Sequence, residues 1–316
     1  MKISVSPIKA LAMNTMILTM LSLATTTALS HPATAKATDT AFPTHTMPKQ
    51  EIVASDTTGY RLVWHDEFNE DGPLNPKDWD YEHGFVRNQE PQWYQPENAV
   101  CENGNLVITA RIEKVANTHY DAQSKHWNLN RPYASYTSSS VITRGKHELK
   151  YGRMEVRAKI PVSSGAWPAI WCLGNKEANG DWPACGEIDI LEFYTHQILA
   201  NACWSDANGR SQWNSSKTPF THFTDKDASW ADKFHIWRMD WDETSIRIYL
   251  DDEKLNEIPL SQTEQPLSDF CKVSNSFRTP QYLILNLALR SSDGIDETKF
   301  PLKYYIDYVR FYERTK

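Results

Sequence analysis

The stretch Gly186-Glu187-Ile188-Asp189-Ile190-Leu191-Glu192-Phe193 begins by alternating acidic and apolar residues and breaks this alternation before its last carboxylate. In a regular strand, side chains alternate between the two faces, so Glu187 and Asp189 share one face and Glu192 points to the other. One extra residue around Ile190-Leu191 would form a β-bulge and return Glu192 to the face of the first two. The sequence therefore predicts a bulged strand with three carboxylates on one face.

Neighbouring carboxylates of this kind suit one particular chemistry. Cleavage of a glycosidic bond with retention needs two carboxyl groups about 5–5.5 Å apart, one attacking the anomeric carbon and one protonating the leaving oxygen. The long side chains of Glu187 and Glu192 can lean toward each other over Asp189 to close the gap. Repulsion among three carboxylates should raise at least one pKa, which suits a general acid. The alternative is an acidic strand that only solvates the outer face of a sheet.

The chain on both sides of this stretch reads as short strands between turn signals. Residues 154–160 alternate apolar and charged side chains, as expected of an antiparallel strand with one wet face. Helical periodicity is nowhere sustained for more than about two turns. An all-β domain follows, either a two-sheet sandwich or a barrel. Further strands are predicted at Leu62–Trp64, Leu106–Ala110, Ser139–Thr143, Ala169–Leu173, Ile198–Trp204, His235–Trp241, Ile246–Leu250, Tyr282–Leu287 and Tyr304–Tyr312.

Residues 1–37 are predicted to be an export signal, outside the folded part. Lys2 and Lys9 give a basic start, an apolar run follows, and small residues near Ala35 offer a cleavage site. A membrane anchor is the alternative, but the run is shorter than the ~20 residues that span a bilayer. Residues 38–59 have linker composition and residues 60–316 are predicted to form one domain. We therefore expect a secreted or periplasmic protein.

Composition excludes one class of partner and leaves the cysteines open. A formal net charge of −7, without a run of lysine and arginine, argues against nucleic acid binding. The 12 tryptophans and 14 tyrosines point toward flat surfaces that stack on sugar rings, although tryptophan is also a core residue. None of the five cysteines shows zinc-site spacing. Cys172 with Cys185, or Cys185 with Cys203, could pair, and buried thiols are the favoured interpretation.

Five segments, in order along the chain, resemble glycoside hydrolase family 16. The segment Trp182–Glu192 is similar to its catalytic signature, in the longer form of the laminarinase, agarase, porphyranase and carrageenase branches. The resemblance implies a β-jelly-roll sandwich of two curved antiparallel sheets with an open concave cleft. It also implies Glu187 as nucleophile, Glu192 as acid/base catalyst and Asp189 as the residue that holds and tunes both. The other segments are Trp64–Phe68, Tyr151–Lys159, Gly165–Trp171 and Ile306–Tyr312.

The same resemblance places aromatic sugar contacts near the carboxylates. Trp167 and Trp171 lie in a segment that the family uses for sugar platforms, and Trp182 lies five residues before the nucleophile. A flat indole can bind the apolar face of a pyranose without demanding one hydroxyl pattern. Packing in the core is the alternative for each.

Polar contacts are predicted from two further regions. Arg87 and Asn88 lie in a segment that reaches the negative subsites of laminarinase-like members, where both could donate to sugar hydroxyls; a solvated loop is the alternative. Trp204, on the strand after the catalytic one, stands where many relatives carry His, and is a further predicted substrate contact. The insert 117–134 could wall one end of the cleft.

The resemblance further implies a structural calcium on the convex side. Glu67 and Asp307 would be ligands, with the backbone oxygen of Gly104 nearby, and oxygen ligands suit calcium. Taken alone, each carboxylate is more simply a surface charge. No cofactor is expected for catalysis.

The sequence thus predicts a retaining endo-β-glycosidase that hydrolyses a β-linked polysaccharide, with β-1,3- or mixed-linkage glucan as the leading substrate. The alternative is an endo-β-1,4-galactosidase acting on agar- or porphyran-like galactans or on mucin-type poly-N-acetyllactosamine O-glycans. It arises because residues 285–294 depart from the glycine-rich stretch usual in laminarinase-like members. A non-catalytic carbohydrate-binding jelly-roll is a minor alternative, against which the three intact carboxylates argue.

A transglycosylase also remains chemically open, since a sugar hydroxyl can intercept the same covalent intermediate. As partners we expect the carbohydrate substrate only, with no nucleic acid and no stable membrane insertion. The protein is predicted to be a monomer.

Overall fold

Two β-sheets dominate the computed structural model, which describes residues 59–290 and 294–315. The predicted export signal, and the predicted linker up to residue 58, lie outside the described residues. In chain order the strands are β1 (Tyr60–Asp66), β2 (Asp80–Tyr81), β3 (Gln92–Tyr94), β4 (Ala99–Glu102), β5 (Asn105–Ala116), β6 (Tyr133–Ser138), β7 (Ser140–Ile142), β8 (Glu148–Leu149), β9 (Gly152–Lys159), β10 (Ala166–Gly174), β11 (Glu187–Tyr194), β12 (Gln197–Ser205), β13 (Ser211–Pro219), β14 (His235–Trp241), β15 (Ser245–Leu250), β16 (Glu253–Pro259), β17 (Gln281–Leu289) and β18 (Leu302–Arg314).

Helices are short and few in the part of the chain that the structure describes. The α-helices there are two single turns, α1 (Lys176–Asn179) and α2 (Thr221–Thr224). Turns of 3-10 helix connect several strands, at Pro96–Asn98, Trp230–Asp232, Leu260–Gln262, Ser276–Arg278 and Glu297–Lys299. The all-β prediction is confirmed.

The strands form two sheets that are antiparallel almost throughout. Among the described residues, one sheet has ten strands in the order β16-β15-β14-β9-β18-β5-β6-β3, with β1 beside β18 and β4 beside β5. The other has eight strands in the order β13-β12-β11-β10-β17-β7-β2, with β8 beside β17. The pair β3 and β6 runs parallel. The sandwich prediction is confirmed, in the jelly-roll form that the family resemblance implies.

The main core lies between the two sheets. Strand β9 alternates as predicted, because Met154, Val156 and Ala158 are fully buried while the residues between them are only partly buried. These side chains belong to one apolar cluster with Ile188 and Ile190 of β11 in the opposite sheet. Burial of an aliphatic side chain of this size contributes about 1.5–3 kcal/mol. The apolar face of each strand therefore decides which face is left for chemistry.

The outer face of the eight-stranded sheet is the face left for chemistry. We call it the cleft face, defined as the face that carries Glu187, Asp189 and Glu192. A second and smaller apolar cluster lies on it, in strands β10, β17 and β7 to one side of β11. This cluster consists of Ile142, Ala169, Trp171, Tyr282 and Ile284, with Leu173 packed against it.

The five cysteines all lie within the part of the chain that the structure describes. All five cysteines are buried and unpaired, which confirms the prediction of buried thiols. Cys185 therefore forms no disulfide with Cys172 or with Cys203. Within residues 59–290 and 294–315, no helix has the length and apolar character needed to cross a bilayer.

Candidate active site

The bulge predicted in β11 is present and sets the direction of its carboxylates. Asp189 lies opposite Asn201 of β12, and Glu192 lies opposite Leu199, so β11 contains one residue more than its partner over this stretch. Ile190 and Leu191 are consecutive and are both fully buried in the core. As a result, all three carboxylates lie on the cleft face.

Glu187 lies at the start of β11 and accepts a hydrogen bond from the indole N–H of Trp182, with Nε1 2.8 Å from Oε2. Burial raises the pKa of the Glu187 carboxyl, while this hydrogen bond and the positive charge of Arg87 lower it. Trp182 is still 49% exposed. Its ring edge thus holds Glu187, while about half of its surface is exposed to solvent.

Glu192 lies at the other end of the bulge and is held by two donors. Trp167 Nε1 lies 2.9 Å from Oε1, and Asn201 Nδ2 lies 3.3 Å from Oε2. Burial, followed by the charge of Glu187, raises the pKa of Glu192 to about 7. A carboxyl group with this pKa is largely protonated in weak acid and can donate a proton to a substrate.

Asp189 lies between the two glutamates and is only 2% exposed. Its carboxyl group is electrostatically coupled to those of Glu187 and Glu192, and its Oδ2 accepts a bond from Asn201 Nδ2 at 3.1 Å. Burial, together with the charges of the glutamates on either side, raises the pKa of Asp189 well above its ordinary value. Asp189 therefore couples the two ends of the site without being exposed to solvent.

Trp171 lies on the cleft face but is only 8% exposed, so it forms part of the cleft floor. Its Nε1 donates to Asn286 Oδ1 at 2.7 Å, and Asn286 Nδ2 in turn lies 3.0 Å from the hydroxyl oxygen of Tyr94. Tyr94 OH also bonds to Glu90, at 3.3 Å. Burial raises the pKa of Glu90. A buried polar network therefore fixes the plane of the Trp171 ring.

Arg87 and Asn88 reach this same side of the site. Arg87 forms an ion pair with Glu82, and its guanidinium carbon lies 4.8 Å from the centroid of the Trp171 ring. Asn88 has a left-handed backbone, with φ of 55°, and its amide donates to Glu90 Oε1 at 3.2 Å. The structure thus brings Arg87 close to the carboxylates, while the amide of Asn88 is turned toward a buried carboxylate.

The insert 117–134 is attached to that turn. Arg131 donates from its Nη1 to the backbone oxygen of Glu90 at 2.8 Å and from its Nη2 to that of Gln89 at 3.0 Å. Its guanidinium also lies over the rings of Phe85 and Trp127. The insert therefore supports the Arg87–Glu90 turn from outside. Of the predicted rim at 285–294, residues 291–293 lie outside the described part of the chain.

Trp204 does not belong to the site, and its prediction as a substrate contact is wrong. Its neighbour Cys203 lies directly opposite Glu187, so strand alternation turns Trp204 to the other face. There Trp204 packs against the main core, with its ring centroid 6.5 Å from that of Phe277. The residue on the cleft face beside Glu187 is Cys203.

The two carboxylates predicted to bind calcium are each paired with an arginine. Both carboxylate oxygens of Glu67 accept bonds from Arg310, at 2.8 and 2.9 Å, and Asp307 accepts one from Arg157 at 2.6 Å. Gly104 lies in the turn before β5, with φ of 73°. Among the described residues there is no group of three or more acidic, histidine or cysteine side chains that could hold a metal. The structural calcium therefore stays a prediction of the family resemblance.

Sequence reasoning missed several residues that the site depends on. Asn201 and Asn286 each bond to a predicted site residue from a neighbouring strand, and Tyr94 and Glu90 complete the network behind Trp171. Their signal is a buried polar side chain in an apolar strand, but the partner of each depends on strand register. Local sequence does not carry that information.

The chain is similar to several proteins that cleave glycans. A β-glucanase from Rhodothermus marinus is 33% identical over 271 residues, which cover 80% of this chain and 85% of the relative. A second relative is a solved structure from work on the endo-acting O-glycanases with which human gut bacteria initiate mucin breakdown. It is 34% identical to this chain, with a TM-score of 0.71. It covers 82% of this chain and 93% of the other. The laminarinase catalytic domain of Thermotoga maritima is 33% identical, with a TM-score of 0.64, covering 81% and 99%.

The jelly-roll fold, the three carboxylates on its cleft face and these relatives together define the class of protein. It is an endo-acting glycoside hydrolase. The model of glycosyl hydrolases family 16 matches residues 93–310. The chain belongs to that family.

Proposed function

We propose that the protein hydrolyses internal β-glycosidic bonds with retention of configuration, and that Glu187 and Glu192 carry the reaction. The observation that carries this proposal is the contrast between the two glutamates. Glu187 accepts a hydrogen bond from Trp182 and is near a positive charge, which favours its ionised form. Glu192 has a pKa of about 7 and holds a proton more readily.

In the first step, an oxygen of Glu187 attacks the anomeric carbon and the bond from that carbon to the leaving oxygen breaks. The leaving oxygen takes the proton of Glu192, which becomes a carboxylate. In the second step, Glu192 takes a proton from water as the water oxygen attacks the anomeric carbon and Glu187 departs. Both steps invert the carbon, so the product keeps the β configuration. Asp189 holds both glutamates in place.

The leading substrate is β-1,3-glucan or mixed-linkage β-glucan. This proposal is supported by the likeness to a β-glucanase and to a laminarinase domain over about four fifths of the chain. The cleft face also offers the exposed indole of Trp182 beside the nucleophile. Arg87 and Trp171 are assigned to the side of the cleft that holds the non-reducing part of the substrate.

The second candidate is an endo-β-galactosidase acting on mucin-type O-glycans or related galactans. The likeness to the O-glycanase structure favours it, since that match has the higher TM-score of the two solved structures compared. Glucose and galactose differ in the orientation of one hydroxyl. A site that hydrogen-bonds to one epimer leaves polar groups unpaired with the other, at ~1–3 kcal/mol for each group. Discrimination between the two should be strong.

A substrate panel separates these candidates. The enzyme is incubated with laminarin, barley glucan, agarose, porphyran and mucin O-glycans, and the released oligosaccharides are identified by mass spectrometry. Glu187→Gln serves as the matched inactive control. Oligosaccharides from laminarin or barley glucan support the leading proposal, and oligosaccharides from mucin or galactan alone support the second. Release of only monosaccharide from chain ends would contradict internal cleavage.

Export and a monomeric state are part of the same proposal. The basic and apolar N-terminal pattern supports removal of residues 1–37 during secretion. Cell fractionation with N-terminal sequencing of the mature protein tests this, and a chain that starts at Met1 would contradict it. Light scattering after size-exclusion chromatography tests the monomer.

A further inference from the structure

Trp213 is an exposed tryptophan on the cleft face that the mechanism above does not use. It lies on the edge strand β13, and its side chain is 45% exposed. Single exposed apolar residues are common on protein surfaces and need no explanation by themselves. The position of Trp213 relative to the carboxylates makes it different.

Strand register aligns Trp213 with the nucleophile. Glu187 lies opposite Cys203 of β12, and Cys203 lies opposite Trp213 of β13. Residues that are directly paired across antiparallel strands lie on the same face. Two strand spacings of 4.7–4.9 Å place the Trp213 backbone ~10 Å from that of Glu187. A short oligosaccharide can cover this distance.

Trp213 lies on the opposite side of β11 from the Arg87 and Trp171 side. Trp171 lies on β10, which borders β11 on one side, whereas β12 and β13 lie on the other. A polysaccharide that crosses the sheet over Glu187 therefore passes over aromatic rings on both sides of the reacting bond. Between Glu187 and Trp213 lies Cys203, which is fully buried.

The strand that carries Trp213 is held in place at several points. Asn256 Nδ2, from the other sheet, donates to Asn214 Oδ1 at 3.1 Å and to the backbone oxygen of Ala200 at 2.8 Å. The turn between β12 and β13 is closed by Asp206, which accepts bonds from two backbone amides of the turn. A ligand that stacks on Trp213 therefore does not have to order the strand that carries it.

We propose that Trp213 is a sugar-binding platform for the leaving-group part of the substrate, the part that departs when Glu192 donates its proton. The ligand class is a β-linked pyranose whose apolar face stacks on the exposed indole. The inference rests on the proposed function, since that function assigns the Arg87 side to the non-reducing part. Trp213 binds substrate and does not take part in proton transfer or attack.

The test compares two substrates that differ only on the leaving-group side. One is the polysaccharide that the wild-type enzyme cuts, and the other is an aryl β-glycoside of a short oligosaccharide of the same sugar, whose leaving group contains no sugar. Trp213→Ala should raise KM for the polysaccharide about tenfold, a change that corresponds to ~1.4 kcal/mol. Both kcat and KM for the aryl glycoside should stay at wild-type values.

Three controls accompany this comparison. Trp213→Phe keeps a flat ring and should restore most of the affinity for the polysaccharide. Tyr133→Ala removes a different aromatic side chain with similar exposure, 46%, from β6 in the other sheet, and should change neither substrate. Thermal melting should give each variant the wild-type Tm, because both aromatic side chains are exposed.

An acceptor experiment gives a second readout. With the aryl glycoside as donor, added oligosaccharide should yield transglycosylation product with the wild-type enzyme and much less with Trp213→Ala. Equal losses on the polysaccharide and the aryl glycoside would overturn the leaving-group assignment, and no loss on either would overturn the platform. Failure of the proposed function would give a different result, because the wild-type enzyme itself would then release no oligosaccharide from any substrate of the panel.

Discussion

Two glutamates on the same face differ because their immediate neighbours differ. Glu187 is bonded by an exposed indole and lies within the field of Arg87, whereas Glu192 is bonded by Trp167 and Asn201. Asp189 links them and is itself buried. The assignment of attack to one and proton donation to the other follows from these surroundings, since the side chains are chemically identical.

Removal of the Glu187 carboxylate should abolish turnover without unfolding the protein. Glu187→Ala deletes the attacking oxygen, so the expected rate is at background, and azide should restore part of the activity because it fits the vacated space. The product should then be the α-glycosyl azide, identified by NMR. For the wild-type enzyme the first product should be the β-anomer. An initial α-anomer would exclude retention.

The pH dependence of the rate should have an alkaline limb from Glu192. The first step needs this carboxyl protonated, and its pKa is raised to about 7 by burial and by Glu187, so kcat/KM should fall as pH rises through about 7. Glu187 must be ionised, and burial raises its pKa, so the acid limb should lie above the ordinary range of a glutamate. A rate that stays constant up to pH 9 would contradict the role of Glu192.

The same shift has a consequence for stability. A carboxyl whose pKa is raised in the folded state stabilises the protein fully below its unfolded value of about 4.5 and loses this contribution as pH rises through about 7. Glu192→Gln cannot ionise, so above pH 7 its Tm should exceed that of the wild-type protein, while at pH 4 the two should agree. A lower Tm for the variant at pH 8 would contradict this sign.

At the scale of the element, the bulge in β11 determines which face of the strand each carboxylate occupies. Deletion of Ile190 should leave Glu187, Asp189 and the following glutamate on the cleft face, because regular alternation then pairs them with the same residues of β12. The variant loses one buried side chain, about 1.5–3 kcal/mol, and should fold with a lower Tm and measurable activity.

Deletion of Ile188 is the matched control for that experiment. It removes a side chain of the same kind from the same strand but turns Asp189 toward the core, so activity should be absent. Equal activity in the two deletion variants would show that the bulge does not set the direction of the carboxylates. Circular dichroism and thermal melting establish whether each variant is folded.

The network behind Trp171 should control substrate affinity. Asn286→Ala leaves the indole N–H of Trp171 and the hydroxyl of Tyr94 without this buried partner, at about 1–3 kcal/mol for each group. We expect a lower Tm and a higher KM, with a smaller change in kcat. Asn286→Asp keeps an acceptor for Trp171 and should recover part of the KM change. An unchanged KM in the alanine variant would contradict the positioning role.

Strand register explains which parts of the site could be read from the sequence. The bulge and the direction of the carboxylates follow from the local pattern of residues 187–193. The partners of β11 depend on the hairpin at Thr195 and His196, which both have positive φ although neither residue type marks such a turn. Asn201 therefore could not be placed beside Asp189, and Trp204 was assigned to the wrong face.

At the scale of the whole molecule, pairing between strands that are distant in sequence determines which charged side chains meet. Strand β1 pairs with β18, and this brings Glu67 to Arg310 across 243 positions of sequence. The family resemblance marked the carboxylates but not their arginine partners. The jelly-roll and the catalytic strand were predictable because each has a recognisable pattern in the local sequence. The ion pairs of the ten-stranded sheet have no such pattern.

Chelation should therefore have no effect on stability. Because Arg310 and Arg157 already neutralise Glu67 and Asp307, EDTA should leave the Tm and the activity of the enzyme unchanged, and added calcium chloride should not raise them. Differential scanning calorimetry measures this directly. A fall in Tm that calcium restores, but magnesium does not, would establish the structural calcium that the family resemblance implied.

The five buried thiols make unfolding of the protein chemically visible. Since Cys101, Cys172, Cys185, Cys203 and Cys271 are all unpaired and inaccessible, a thiol reagent can reach them only when the chain opens. The rate of labelling at high reagent concentration would report the lifetime of the folded enzyme in any buffer or polysaccharide mixture. The same feature means that dithiothreitol should leave the enzyme intact, so it could be produced in a reducing host.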